Sequence, residues 1–185
     1  MSIDLTAAQK QQLLQLAWDA IDYGLQTGRV LKPAVDDPVL QRDGASFVTL
    51  TLHGELRGCI GSLQAYQPLA DDVAQNAFNA AFRDPRFEPL DDSERDALDL
   101  HISILSPSSP IHFTSESDLL RQLRPGVDGL ILTDGHHRGT FLPQVWESLA
   151  DPVDFLAHLK RKAGLPSHYW SSTLQVQRYT VDSIP

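Results

Sequence analysis

Residues 46–61 read SFVTLTLHGELRGCIG, and this stretch decides the fold. Apolar side chains alternate along Ser46–Leu52 with the two-residue period of a β-strand. The dipeptide His53-Gly54 can turn the chain directly into a second strand, Glu55–Ile60. The stretch therefore predicts a β-hairpin, and the hairpin ends in the motif Arg57–Gly61.

Helices are predicted on both sides of this hairpin. A capping-box pattern begins an amphipathic helix over about residues 7–27, and a second helix starts near Pro68. A later helix has Asp151 as its N-cap, Pro152 in its first turn and Gly164 after its last turn. These boundary signals are the strongest in the chain.

Further strands follow the hairpin. The alternation of apolar and polar residues predicts strands at Leu98–Ile104, Ile111–Phe113, Leu130–Thr133, Thr140–Leu142 and Leu174–Val181. Because several consecutive strands are joined by hairpins, we expect an α+β fold with a mixed or mainly antiparallel sheet flanked by helices.

Length and composition exclude several classes of protein. A chain of 185 residues has the size of one domain, so we expect residues 1–185 to form a single domain, with a lobe at most. Its net charge of −9 repels nucleic acid and anionic membranes. With no apolar stretch long enough to span a bilayer and no leader pattern, we expect a cytoplasmic protein.

The sequence LRGCIG at residues 56–61 is the main candidate site. Gly58 and Gly61 remove side-chain bulk on both sides of Cys59, so that backbone N–H groups can face a ligand. Arg57 lies on the same strand face as Cys59 if the strand persists, and its guanidinium would favour the thiolate. Cys59 is therefore a candidate nucleophile. The alternative is a small buried side chain between glycines that allow close packing.

Partners for this cysteine are harder to assign. The chain has 7 histidines, any of which could serve as a base, and His101 is predicted on a strand away from its apolar face. His136-His137 sits in a turn where adjacent side chains point in opposite directions, which disfavours joint metal binding. A single cysteine excludes a multi-thiolate zinc site. We therefore predict no metal site, and the sequence assigns no cofactor.

The loop after the second helix carries the charges Arg83, Asp84, Arg86 and Glu88 around the aromatic Phe87. This loop is either a charged wall beside a cleft or a solvated loop held by its own salt bridges. The sequence leaves both interpretations open.

Four blocks of sequence resemble the AMMECR1-domain family, whose bacterial members are called protein A of the AmmeMemoRadiSam system. They are LRGCIG at 56–61, DPRF at 84–87, FLPQV at 141–145 after Arg138-Gly139, and Phe155-Leu156 leading into KAGL at 162–165. The resemblance implies an AMMECR1-like body of two lobes with a cleft near the hexapeptide. The motif positions that it implies here are Arg57, Gly58, Cys59, Gly61, Arg86, Gly139, Pro143 and Gln144.

Three functions remain open on this basis. In the first, the Arg57–Gly61 backbone and Arg86 bind a ligand or partner, with Gly58, Gly61, Gly139 and Gln144 also lining the site. The resemblance implies Memo-like and radical SAM proteins as partners. In the second, Cys59 is the nucleophile or acid/base of an enzyme, with Arg57 as a catalytic residue, acting on a small molecule or modified residue. In the third, the hexapeptide is purely architectural.

Overall fold

The structure, a computed structural model, describes residues 3–185. In chain order the helices and strands are α1 (Ala7–Thr27), β1 (Ala45–Leu52), β2 (Glu55–Gly61), α2 (Leu69–Phe82), β3 (Leu98–Leu105), β4 (Ser109–Pro110), α3 (Glu116–Gln122), β5 (Gly129–Asp134), β6 (His137–Phe141), α4 (Pro152–Lys162), β7 (Gln175–Tyr179) and β8 (Val181–Ile184). Two short 3-10 helices, Asp92–Ala97 and Pro143–Glu147, precede β3 and α4.

The chain forms two compact units. The first unit contains the described residues up to Ser106 and the C-terminal segment Asp182–Pro185, and the second contains Pro107–Val181. Each unit has its own hydrophobic core. The expected α+β class, with antiparallel sheets flanked by helices, is confirmed. The single domain and the cleft stay predictions.

The predicted hairpin forms the centre of the first unit. Its sheet has the order β2-β1-β3-β8, and β1 pairs antiparallel with both β2 and β3. His53 and Gly54 adopt φ values of 54° and 81°, the left-handed conformation that a tight two-residue hairpin turn requires. Val48 and Leu50 are fully buried in the core that the sheet shares with α1 and α2.

A buried carboxylate attaches α2 to this sheet. Asp72 is 0% exposed and accepts hydrogen bonds from the backbone N–H and the hydroxyl of Ser46, at 2.8 and 2.7 Å. Ser62 and Asn76 also donate to it, at 2.8 and 3.0 Å. Because these donors come from β1, from the segment after β2 and from α2 itself, Asp72 fixes the helix against both strands of the hairpin.

The second unit has an antiparallel sheet of order β4-β7-β5-β6 with α3 and α4. In its core the rings of Trp146 and Phe155 stack with centroids 3.7 Å apart. Helix α4 is capped by Asp151, whose side chain accepts the N–H of Val153, as its boundary signals predict.

Three strand predictions are wrong in position. The strand expected at Thr140–Leu142 is β6, His137–Phe141, which a two-residue turn joins to β5. The strand expected at Ile111–Phe113 lies at Ser109–Pro110 instead, although the Ile111 N–H still bonds to Val176. The strand expected at Leu174–Val181 is two strands, β7 and β8, which join different sheets. The alternation of apolar and polar residues predicts a strand, but it does not identify the sheet to which the strand belongs. Across residues 3–185, none of the helices combines the length and hydropathy needed to cross a bilayer.

Candidate functional site

Arg57 is the additional residue of a bulge in β2. The register of the pairing with β1 changes at this position, so Arg57 lies opposite no residue of β1. Its guanidinium binds the Glu94 carboxylate in a two-pronged pair, with Nε to Oε2 at 2.7 Å and Nη2 to Oε1 at 3.0 Å. Nη2 also donates to the Glu88 carbonyl at 2.8 Å. Arg57 therefore holds β2 to the Asp92–Ala97 helix and the loop before it.

Gly58 and Gly61 are places of close packing. A Cβ at Gly58 would collide with the backbone carbonyl oxygen of Ala80 on α2, and a Cβ at Gly61 would collide with the ring of Phe47 on β1. Only residues without side chains allow the helix and the neighbouring ring to approach β2 this closely. The two glycines thus shape the backbone on both sides of Cys59, and their role in ligand binding stays a prediction.

Val48 and Leu50 lie on the face of the first sheet that packs into the core. Cys59 lies on the other face, which we call the outer face. The thiol is half-buried, and its Sγ is 3.3 Å from the Thr49 hydroxyl on the neighbouring strand. Sequence reasoning did not find Thr49, because the β1–β2 register that places it opposite Cys59 depends on the bulge.

His101 is the histidine that shares a row with this thiol. Thr49 pairs with Cys59 on one side and with His101 on the other, so the three side chains lie across the outer face in one line. Adjacent strands are about 5 Å apart, which puts the Cα atoms of Cys59 and His101 roughly 10 Å apart. The exposed His101 is therefore one strand too far away to accept the thiol proton directly.

Asp84 and Arg86 complete the site at the edge of β2. The Asp84 side chain is 2% exposed and accepts the Cys59 N–H at 3.0 Å. It also accepts both Nε and Nη2 of Arg86, at 3.0 and 2.7 Å. The Arg86 Nη2 lies 3.4 Å from the Cys59 carbonyl oxygen. The guanidinium beside Cys59 is thus that of Arg86, whereas the guanidinium of Arg57 is engaged by Glu94.

These ion pairs set the electrostatics of the site. The hydrogen bonds from Arg86 hold the pKa of Asp84 well below its usual range, although burial opposes the shift. In the same way Asp84 raises the pKa of Arg86, and Arg57 lowers the pKa of Glu94. Both pairs are therefore ionised at neutral pH.

The remaining predicted positions lie in the second unit. Gly139 is buried in β6, where a Cβ would press against Ala163 after α4, so this glycine has a packing role. Gln144 is exposed in the 3-10 helix after β6. The structure thus brings Arg57, Gly58, Cys59, Gly61 and Arg86 together in the first unit. Within residues 3–185, no three His, Cys, Asp or Glu side chains form a group that could hold a metal ion.

Proteins from several organisms are similar in sequence to this chain. A protein of Methanothermobacter thermautotrophicus is 38% identical over 164 residues, covering 88% of this chain and 85% of that protein. A protein of Thermotoga maritima is 36% identical over 166 residues, covering 88% and 90%. The crystal structure of the uncharacterized protein PH0010 from Pyrococcus horikoshii superposes with a TM-score of 0.88 at 34% identity, covering 94% of this chain and 89% of that one. The AMMECR1 family model matches residues 14–184, and the chain therefore belongs to the AMMECR1 family.

Proposed function

We propose that this chain is a binding protein that holds an anionic group of a ligand or partner at Arg86, beside Cys59. The pairing of Arg86 with Asp84 carries the proposal. The Asp84 side chain is 2% exposed, whereas the Arg86 side chain is 54% exposed. An arginine fixed from behind by a carboxylate presents its remaining N–H donors in one orientation, which suits a carboxylate or phosphate.

The donors that remain on Arg86 support this role. Nε and Nη2 are bound to Asp84, and among residues 3–185 the Nη1 group has no acceptor. Arg83, in the same loop, is also exposed, and its guanidinium lies 5.1 Å from the ring of Phe78. Arg83 thus places a second exposed arginine in the same loop.

The contacts of Cys59 favour binding over catalysis. Nucleophilic cysteines are activated by a base within hydrogen-bond reach, commonly a histidine. The thiol of Cys59 contacts the Thr49 hydroxyl, and His101 lies one strand further away. Nε and Nη2 of Arg57 are bound to Glu94 and Glu88, and its Nη1 is buried without a hydrogen-bond partner among the described residues. The enzyme hypothesis would need the ligand itself to supply the base.

A partner protein is the second part of the proposal. We extend it to an acidic segment of a Memo-like or radical SAM protein, on the resemblance described above, in the cytoplasm. The exposed Arg86 would bind a carboxylate of that segment, beside the backbone that Gly58 and Gly61 shape by close packing. The roles of Gly139 and Gln144 in binding stay predictions.

Calorimetric titration with acetate, inorganic phosphate and a hexaglutamate peptide tests the anion site. Arg86→Gln should weaken binding by about tenfold, the effect of one charge-assisted pair. Cys59→Ser should change the binding affinity less than about twofold, because the proposal requires no thiol chemistry. Arg29→Gln is the matched control, since Arg29 is an exposed arginine in the loop after α1 and makes the same charge change.

The outcomes separate the three functions. Loss of binding in Arg86→Gln but not in Arg29→Gln supports the proposal. Equal affinities in the wild type and Arg86→Gln overturn it. Rapid alkylation of Cys59 by iodoacetamide, faster than that of a free thiol, would favour the enzyme. The partner is tested by mixing the purified chain with Memo-like and radical SAM proteins of the same genome, where Arg86→Gln should abolish co-elution.

A further inference from the structure

The second unit contains a pocket that none of the motifs touches. Its volume is about 590 Å³, within the roughly 300–1,000 Å³ of small-molecule sites. One wall is the segment between β4 and α3, and the other is the segment from Trp170 to β7. A hydrogen bond from the Ile111 N–H to the Val176 carbonyl, at 2.9 Å, joins the two stretches.

The described lining of this pocket is polar but has no carboxylate, ammonium or guanidinium group. Charged residues make up 21% of the chain, yet no Asp, Glu, Lys or Arg is among the described residues that line the pocket. Its polar lining includes Thr114, Ser172, Gln175 and Gln177, which can both donate and accept hydrogen bonds. A phosphate or carboxylate would find no Lys or Arg in the described lining, only the imidazole of His112, and an ammonium group would find no carboxylate.

The aromatic part of the lining is fixed in place. The ring of Trp170 packs against that of Phe113 with centroids 5.4 Å apart, and both rings line the pocket. Lys160, whose side chain is 1% exposed, places its ammonium group 5.6 Å from the Trp170 ring and binds Glu116 at 3.1 Å. Contacts from two other elements therefore hold this tryptophan before any ligand arrives.

The polar wall is also held rigidly. Asp134 on β5 accepts hydrogen bonds from the hydroxyls of Tyr169, Ser171 and Thr173, at 2.7, 2.6 and 2.6 Å. These three donors surround Trp170 and Ser172 in the chain, so one carboxylate fixes the loop that carries them. The same hydrogen bonds, that of Ser171 foremost, lower the pKa of Asp134 and keep it ionised at neutral pH. A wall fixed in advance reduces the entropy lost on binding.

We infer that this pocket binds a neutral sugar. A sugar ring has an apolar C–H face, which packs on an aromatic ring, and hydroxyl groups that each donate and accept hydrogen bonds. The Trp170–Phe113 pair provides the aromatic surface for the C–H face. The hydroxyl and amide side chains of the lining provide the hydrogen bonds for the sugar hydroxyls. Because the described lining holds no Lys or Arg, phosphorylated and acidic sugars should bind more weakly than neutral ones. This site is separate from the residues of the proposed anion site.

Titration followed by NMR tests this inference. Glucose, galactose, mannose, N-acetylglucosamine and maltose are the probes, and the readout is the indole Nε1–H signal of Trp170, assigned with Trp170→Phe. At least one neutral sugar should shift this signal saturably. Ser172→Ala and Gln175→Ala should each weaken binding about three- to tenfold, the effect of one hydrogen bond. Both residues are exposed, so the variants are expected to fold.

Gln12→Ala is the control, since Gln12 is exposed on α1 in the first unit. Its affinity should equal that of the wild type. Three results would each overturn the inference: no saturable shift with any of the five sugars, equal binding by Ser172→Ala, Gln175→Ala and the wild type, or tighter binding of glucose 6-phosphate or adenosine than of every neutral sugar.

Discussion

The Asp84 carboxylate accepts the backbone N–H of Cys59 at 3.0 Å, across 25 positions of sequence. This contact joins the loop after α2 to the outer edge of β2. The same carboxylate orients the guanidinium of Arg86, so the position of the exposed arginine relative to the cysteine depends on Asp84.

Removing this carboxylate should destabilise the fold. We expect Asp84→Ala to lower the free energy of unfolding by about 2–3 kcal/mol, because the Cys59 N–H and the Arg86 guanidinium lose their acceptor. Urea denaturation measures the difference. Asp36→Ala is the control at an exposed aspartate and should change stability by less than about 0.5 kcal/mol. Similar losses in the two variants would contradict the assigned role.

The same residue predicts a dependence of stability on pH. The pKa of Asp84 is lower in the folded chain than in the unfolded chain, where the pKa of aspartate is about 3.9. As the pH falls, the unfolded state therefore takes up the proton first. The contribution is therefore complete above about pH 5 and is lost as the pH falls toward the folded pKa. Between about pH 5 and pH 2, the free energy of unfolding should fall less steeply for Asp84→Asn than for the wild type. Parallel pH profiles would contradict this prediction.

Close packing at Gly58 predicts a large effect of one methyl group. Gly58→Ala places a Cβ against the backbone carbonyl of Ala80, which cannot rotate away, and should cost about 3 kcal/mol. Gly54→Ala is the matched control, because its Cβ meets no atom within 4 Å and only its φ of 81° is unfavourable. That strain should cost about 1–2 kcal/mol. Thermal denaturation measures which of the two variants is less stable. A smaller loss of stability in Gly58→Ala than in Gly54→Ala would contradict the close packing at Gly58.

The pair between Arg57 and Glu94 should show energetic coupling. A double-mutant cycle with Arg57→Ala and Glu94→Ala should give a coupling energy of about 1–2 kcal/mol in the free energy of unfolding. Arg57→Lys should recover little of it, because an ammonium group cannot form the two parallel hydrogen bonds. Additive effects of the two single variants would show that Arg57 is free for another role.

Local signals explain how much of the fold could be predicted. The hairpin at Ser46–Ile60 and helix α4 are encoded by residues that are neighbours in sequence: alternating side chains, a two-residue turn, an N-cap and a terminal glycine. Asp72 shows the limit. In the first turn of α2 its negative charge suits the helix dipole, which is typical of an exposed residue, yet Asp72 is buried and Ser46, 26 positions earlier, supplies two of its hydrogen bonds.

The candidate site was predictable in part for the same reason. The hexapeptide around Cys59 and the charged loop with Arg86 are visible in the sequence. The partner of Arg57 is not, because Glu94 lies 37 positions away and meets it only through the bulge in β2. The choice among the histidines required the register of β3 on β1, which no local pattern encodes.

The side-chain Nε–H signal of Arg86 in ¹⁵N NMR spectra is the most direct test of the central claim, which is that an anion binds at the exposed guanidinium beside Cys59. With acetate or inorganic phosphate, the account predicts saturable shifts of this signal and of the Cys59 backbone amide, retained in Cys59→Ser. Spectra in which both signals stay unchanged at saturating anion, or in which Arg29 shifts as much as Arg86, would contradict it.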